Sequence, residues 1–372
     1  MKRTSFRTAA VPTVAALALG LGLSACAAGN ESSGDAGSAS TTSGSKLSGT
    51  LNGAGSSAQE AAQGAWQSGF QSANPDVTVN YDPVGSGGGR EQFLAGGVDF
   101  AGSDSYLSDE ELASSKKACH GQTALEVPNY VSPIALVYNV SGVDKLQLSA
   151  KTAAMIFAGK ITKWNDPAIK ADNPGTNLPA DRIVPVHRSD DSGTSKNFTE
   201  WLSKAGQGAW SHEPDSLWPV KGGEGAQGTS GVIQAVTNGK GTIGYADQSQ
   251  AGKLSVASIK VGDAYVAPSA AAAAKVVDLS TRVSGRAAND VAVDIDRTTT
   301  EAGAYPLILT SYVIACPTYA DKAKASLVKS YLSYLLSSDG QAAAAKTAGS
   351  APLSSTLSTG VVAVADKISA TS

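Results

Sequence analysis

The chain has 372 residues, of which 42% are hydrophobic and 16% charged, and its formal net charge is −3. Such a length favours about two domains over one. Three histidines and three cysteines make no ligand cluster for a metal, and no Lys/Arg stripe is present to hold nucleic acid.

Residues 1–25 read as a signal peptide. Met1-Lys2-Arg3-Thr4-Ser5-Phe6-Arg7 is a basic start, and the apolar run from Val11 to Leu23 is too short to span a bilayer as a stable helix. Leu23-Ser24-Ala25-Cys26 has the form of a bacterial lipobox, in which Cys26 becomes the mature N-terminus and carries lipid. The plainer alternative is an ordinary cleavage site with Cys26 incidental. Residues 26–46 are small and polar and cannot build a core, so they form a flexible tether with a span of roughly 25 Å. Without Lys2, Arg3 and Arg7, 26 basic residues face 32 acidic ones. A negative body still binds an anion, because surface charge is screened beyond about 10 Å while dipoles in a site act at contact. Cys119 and Cys316 remain, an even pair in an exported chain, which points to a disulfide; two unrelated buried thiols are the alternative.

Leu47 to Leu51 predicts a strand that runs into Gly53-Ala54-Gly55-Ser56-Ser57-Ala58. Ala58, Ala61, Ala62, Ala65, Trp66, Gly69 and Phe70 then share one helical face. The pattern is formally the dinucleotide G-x-G-x-x-A, but any strand, glycine turn and helix can produce it. An anion site at the helix N-terminus, with Ser56 and Ser57 as donors, is the simpler reading. Val77 to Tyr81 alternates as a strand and leads to Gly85-Ser86-Gly87-Gly88-Gly89-Arg90, a second glycine loop before a helix. Ser86 is its natural donor; Arg90, one turn in, is expected to be solvated, with a ligand role as the alternative. Val98 to Asp104 is a strand ending in a carboxylate.

Ser132 to Asn139 predicts a strand, Ser149 to Phe157 a helix, and Asn173-Pro174-Gly175 a turn. Ile183 to Val186 is a short β-branched strand followed by His187-Arg188-Ser189-Asp190-Asp191-Ser192-Gly193-Thr194-Ser195. Phe198, Trp201, Leu202 and Ala205 recur at helical spacing, so a helix begins near Ser192. Its first N–H groups lack intrahelical partners and, with the helix dipole, favour an anion. Ser192, Thr194 and Ser195 add hydroxyls, Gly193 permits close approach, and Arg188, held by Asp190, offers a planar fork of donors. An ordinary N-cap beside a surface ion pair is the competing reading. Lys221 to Gly228 lacks P-loop spacing and reads as cleft wall or hinge scaffold before a helix at Thr229–Thr237. Further on, Ala267–Val277 reads as a helix, Tyr305–Cys316 as a strand and Lys322–Leu336 as a helix. Alternating strands and helices predict an α/β fold.

Gly53-Ala54-Gly55-Ser56-Ser57, Gly85-Ser86-Gly87-Gly88-Gly89, Val98-Asp99-Phe100-Ala101-Gly102-Ser103-Asp104 and Arg188-Ser189-Asp190-Asp191-Ser192-Gly193-Thr194 occur in that order. In this the chain resembles the PstS-type phosphate-binding proteins, the extracytoplasmic receptors of phosphate ABC transporters. Ile156 to Pro167 and Gly241-Thr242-Ile243-Gly244-Tyr245 are similar to further landmarks of that family. The resemblance runs from about Leu47 to the C-terminus. It implies a two-lobed periplasmic-binding-protein-like fold of type II, each lobe a β-sheet flanked by helices, with the ligand in the cleft. Residues 47–133 plus 264–372 would form lobe I and 134–263 lobe II. Ser57, the Ala58 backbone, Ser86 and Asp104 would bind phosphate from one lobe, and Arg188, Ser192, Gly193 and Thr194 from the other, with Asp190 in support. The family more often has Phe where this chain has Ala58. The implied partners are inorganic phosphate, the permease and ATPase subunits of the transporter, and the outer face of the cell membrane through lipid on Cys26. A monomer without cofactor, metal or catalytic residues is implied.

An acid in an anion site is sensible when the ligand carries a proton. Phosphate at neutral pH has an O–H that Asp104 can accept, whereas sulfate has none and would set two negative charges face to face. Three other readings compete, one of them an adhesion or sensory lipoprotein on the same fold. A secreted hydrolase using Ser192 or Ser195 needs a base, drawn from His120, His187 or His212, and no G-x-S-x-G elbow is present. A receptor for another oxyanion or a phosphate ester would use the same loops.

Overall fold

The computed structural model describes residues 46–371. The expected signal peptide, Cys26 and all of the tether but Lys46 lie outside the described residues. In chain order the elements are β1 (Gly49–Gly55), α1 (Glu60–Ala73), β2 (Val77–Asp82), α2 (Ser86–Leu94), β3 (Phe100–Ser103), α3 (Asp109–Ala118) and β4 (Leu125–Asn139). Then come β5 (Gln147–Leu148), α4 (Ala150–Phe157), α5 (Pro167–Asp172), β6 (Val184–Arg188), α6 (Gly193–Ala205), β7 (Glu224–Ala226), α7 (Gly228–Asn238) and β8 (Thr242–Asp247). The remainder is β9 (Ser255–Val256), β10 (Ser258–Val261), β11 (Ala264–Val266), α8 (Ala270–Leu279), β12 (Thr281–Arg282), β13 (Val293–Asp294), β14 (Ile308–Ala315), β15 (Thr318–Tyr319), α9 (Lys322–Leu336), α10 (Ser338–Ala348), α11 (Ser355–Ala365) and β16 (Ser369–Ala370).

Among the described residues, nine strands form one mixed sheet in the order β2-β1-β3-β14-β4-β8-β6-β7, with β9 paired to β4. β1 runs parallel to β2 and β3, and β6 runs parallel to β7 and β8. β14 is antiparallel to both neighbours. Strands covered on both faces read as unbroken apolar runs; β14 is buried at every position and β4 at all but Asn139. Helices cover the sheet with their apolar stripes. In α1, Ala62, Trp66 and Phe70 face inward at intervals of four, and Trp66 Nε1 donates to Gly340 O at 2.8 Å. In α9, Leu327, Val328, Tyr331, Leu332 and Leu335 do the same. The α3 helix has little apolar surface but is closed by a capping box between Ser108 and Glu111, with acids in its first turn and lysines in its last. Cys119, at its end, is bonded to Cys316, which follows β14, with the Cα atoms 5.1 Å apart.

The longest strand, β4, changes partner halfway. Leu125–Pro133 pairs with β14, and Ile134–Asn139 pairs with β8. Asp247 ends β8 opposite Ile134 and is fully buried. Its carboxylate accepts from Tyr130 Oη at 3.1 Å and from the Ser249 N–H at 2.9 Å. Burial pushes this carboxyl up to about 7, and hydrogen bonds from Ser249, Ser132 and Tyr130 only partly oppose that. Because the folded-state value is raised, the native state holds a proton that the unfolded chain releases near pH 4. Stability is therefore expected to fall by up to about 4 kcal/mol as pH rises from about 4 to about 7. Asp247→Asn should flatten that part of the profile in chemical denaturation; equal slopes in the variant and the parent would rule the account out.

Candidate functional site

β1, β2 and β3 run parallel to one another, and β6, parallel to β8, runs the opposite way in the continuous sheet, so the carboxyl ends of the two sets, where ligands of open α/β sheets bind, meet from opposite directions. Each of β1, β2, β3 and β6 is followed by a loop of small or polar residues. After β1, Ser56 and Ser57 turn the chain toward α1; after β2, Gly85 with φ +98° places Ser86 at the start of α2; after β3 comes Asp104; after β6 come Asp190 and Ser192. These loops touch. A Cβ on Gly89 would sit 2.3 Å from Gly55 Cα, and one on Gly193 would sit 2.7 Å from Ser86 Oγ and 2.8 Å from Asp104 Cβ. Glycine at 193 is what lets the N-terminus of α6 press against the β2 and β3 loops.

Asp104, Arg188, Ser86, Ser57, Ser192 and Thr194 are brought together, each only 1–3% exposed. Asp104 is the hub. Its Oδ1 accepts from Ser56 Oγ and from Ser311 Oγ, each at 2.5 Å, and its Oδ2 accepts from Thr194 Oγ1 at 2.8 Å. Its N–H donates to Ser86 Oγ at 3.1 Å, and its carbonyl accepts from Asn197 Nδ2 at 2.6 Å. Arg188 is gripped by Asp190 through Nε–Oδ1 at 2.7 Å and a second bond from Nη2 to Oδ2. The Gly228 N–H also donates to Asp190, at 3.0 Å. Burial opposes charge on Asp190, but Arg188 and the Gly228 amide outweigh it and hold the carboxyl below the usual carboxylate range. A guanidinium has five N–H groups. Asp190 takes two, and among the described residues the Nη1 pair has no acceptor. Ser192 caps α6 by accepting from the Ser195 N–H at 3.1 Å, and the Gly193 and Thr194 amides have no intrahelical partner. The result is a cluster of orphan amides, hydroxyls and one guanidinium facing one carboxylate, an arrangement that suits a small oxyanion bearing a proton.

Some predicted donors have protein partners as well. Ser57 Oγ lies 3.0 Å from Thr229 Oγ1 and accepts from the Thr229 N–H at 3.0 Å, which ties the β1 loop to the N-terminus of α7. The Ala58 N–H donates to Ser56 Oγ at 3.1 Å, and the Ala58 methyl packs in the main core. Arg90 is not solvated as expected. It is 8% exposed, binds Glu111 at 2.7 Å and reaches Ser103 and Ser105 at 3.1 Å, because the α2 and α3 helices close over it. The Lys221–Gly228 stretch, expected as wall or hinge scaffold, supplies edge strand β7 and the start of α7.

Ser311, Thr229, Asn197, Gln250 and Tyr245 were not assigned to the site from sequence. Gln250 Nε2 donates to Ser57 O at 2.7 Å. The Tyr245 hydroxyl accepts from the Arg188 N–H at 3.1 Å and lies 2.6 Å from Ser195 Oγ, fixing the strand end against the helix. Thr310-Ser311 interrupting the apolar run Pro306–Cys316 was the readable signal for Ser311. The serines expected of a hydrolase have other partners: Ser195 meets Tyr245, while His187 Nδ1 contacts Arg188 O at 3.0 Å and its ring stacks on Trp218 at 5.0 Å.

Comparison with known proteins identifies the family of the chain. The PBP superfamily domain model matches residues 40–339. Phosphate-binding protein PstS 3 of Mycobacterium tuberculosis (strain ATCC 25618 / H37Rv) is 38% identical over 289 residues, covering 76% of this chain and 77% of the relative. Phosphate-binding protein PstS 3 of Mycobacterium leprae is 36% identical over 327 residues, covering 85% and 87%. Among solved structures, the periplasmic phosphate-binding protein PfluDING bound with phosphate superposes with a TM-score of 0.68 at 23% identity, over 85% of this chain and 93% of its own. A phosphate-binding protein from Stenotrophomonas maltophilia gives 0.66 at 20% identity, over 85% and 94%. These structures share the two-lobed α/β fold. The chain belongs to the PBP superfamily and, within it, to the family of PstS-type phosphate-binding proteins.

Proposed function

We propose that this protein captures inorganic phosphate and presents it to the permease and ATPase subunits of an ABC-type phosphate importer. One observation carries the reading: a carboxylate with an open acceptor position and a guanidinium with open donors belong to loops in direct contact and are almost fully buried. Ser57, Ala58, Ser86 and Asp104 bind from one lobe, and Arg188, Ser192, Gly193 and Thr194 from the other, with Asp190 orienting Arg188. Lobe I comprises residues 47–133 plus 264–372, and lobe II residues 134–263. The change of partner along β4 between Pro133 and Ile134 supports that division. Bending there opens and closes the cleft. The relatives' names support phosphate as the ligand. The protein acts outside the cytoplasm as a monomer, held at the membrane by lipid on Cys26, and performs no covalent chemistry.

Titration calorimetry tests this. Phosphate is expected to bind, with sulfate weaker by about 10⁴-fold, since a site built to pair one hydroxyl rejects an analogue lacking it by that order. Asp104→Asn should narrow the gap. Comparable binding of both anions, or turnover of a phosphate ester, would overturn the proposal.

A further inference from the structure

The hydroxyls packed against Asp104 decide how many protons the bound ligand delivers. An ionised carboxylate has about four lone-pair positions, two on each oxygen. Ser56 and Ser311 occupy both positions on Oδ1, and Thr194 occupies one on Oδ2. A single position is left. Ser311 comes from far along the chain, 207 residues from Asp104, and its placement is built into the sheet. The register of β14 against β4 shifts between Ser311 and Tyr312, a β-bulge in the otherwise regular pairing. Bulges re-aim side chains and recur beside functional sites. Ser311 is fully buried and has no other role among its hydrogen bonds.

We propose that Ser311, together with Ser56, is a specificity-determining residue that saturates Asp104 Oδ1 and so restricts the ligand to one donated hydroxyl. The inference rests on phosphate being the ligand. Under it, the protein selects the singly protonated dianion over the doubly protonated monoanion, whose second O–H has no acceptor. Ser311 is a positioning residue: it acts through Asp104 rather than on the ligand.

Ser311→Ala opens one position on Oδ1, so the monoanion gains a partner. The test measures phosphate affinity by calorimetry on both sides of the second phosphate ionisation, for the parent protein, Ser311→Ala and Ser56→Ala, with thermal melts to check folding. Each variant is expected to shift the ratio of acid-side to alkaline-side affinity toward the acid side by about three- to tenfold, the value of one hydrogen bond. A Ser311→Thr variant, which keeps the hydroxyl, should restore the parent's ratio. If both alanine variants fold and bind phosphate with pH profiles parallel to the parent's, the inference is wrong. Should Ser311→Ala not fold, Ser56→Ala alone decides it in the same way. Failure of the parent to bind phosphate at all would instead strike the function proposed above.

Discussion

Arg188→Ala is expected to weaken phosphate binding by about 10²- to 10³-fold while leaving a folded protein. Truncating one partner of a buried, hydrogen-bonded charge pair typically costs 2–5 kcal/mol or more. Here it removes the open guanidinium donors and also leaves the Asp190 carboxylate, 13% exposed, with the Gly228 amide in place of a cation. That carboxylate then adds repulsion beside the ligand. Arg188→Lys should recover only part of the loss, because an ammonium cannot hold Asp190 through two parallel bonds and still aim donors elsewhere. Asp190→Ala keeps the charge but frees the fork, and its effect should be smaller than that of Arg188→Ala. Calorimetry gives the affinities. An alanine variant that melts normally and binds within a factor of three of the parent removes Arg188 from the site.

The second large effect concerns stability. Cys119 and Cys316 close a loop spanning 197 positions and lock the end of α3 to the end of β14. They sit in a small apolar cluster with Phe93, Ala101, Leu107, Ala124 and Ile314, separate from the main core. In the chain-entropy account a loop of that length is worth about 5 kcal/mol, and losses of native disulfides commonly fall at 2–5 kcal/mol. Reduction, or a Cys119→Ser/Cys316→Ser double variant, should lower the melting temperature by roughly 3–7 °C. Phosphate affinity measured below the transition should hardly change, because the bridge joins the end of α3 to the end of β14 and contributes none of the proposed ligand groups. Identical melts with and without reductant would show that the crosslink contributes nothing.

Much of the proposed anion site is legible in the sequence because strand, glycine turn and helix N-terminus are local features. Gly85-Ser86 and Ser192-Gly193-Thr194 announce their helices by composition, and the observed α2 and α6 begin at Ser86 and Gly193. The α9 helix, periodic over its whole length, runs from Lys322 to Leu336 as read. The less legible parts depend on distance. Ser311 and Thr229 are ordinary hydroxyls until folding sets them against Asp104 and Ser57, at separations of 207 and 172 residues. Arg90 looks solvated by its helix position and is buried only because α3 packs over it and Glu111 neutralises it. The α3 helix lacks an apolar stripe, and the Ser108–Glu111 capping box was its only clear sign. Strand ends also shifted: Tyr305–Cys316 narrows to Ile308–Ala315, and Ser132–Asn139 extends back to Leu125.

The placement of β14 has a consequence for how the chain acquires its shape. This strand lies between β3 and β4, yet it is synthesised about 170 residues after β4. Until Ile308–Ala315 arrives, the interior edges of β3 and β4 have nothing to bond, so the N-terminal third cannot complete its sheet alone. High contact order of this kind slows folding and leaves nascent fragments open. Under the export proposed above, by threading through a translocation channel, delayed closure is an advantage: the keystone comes last, and the chain stays threadable until nearly all of it has passed.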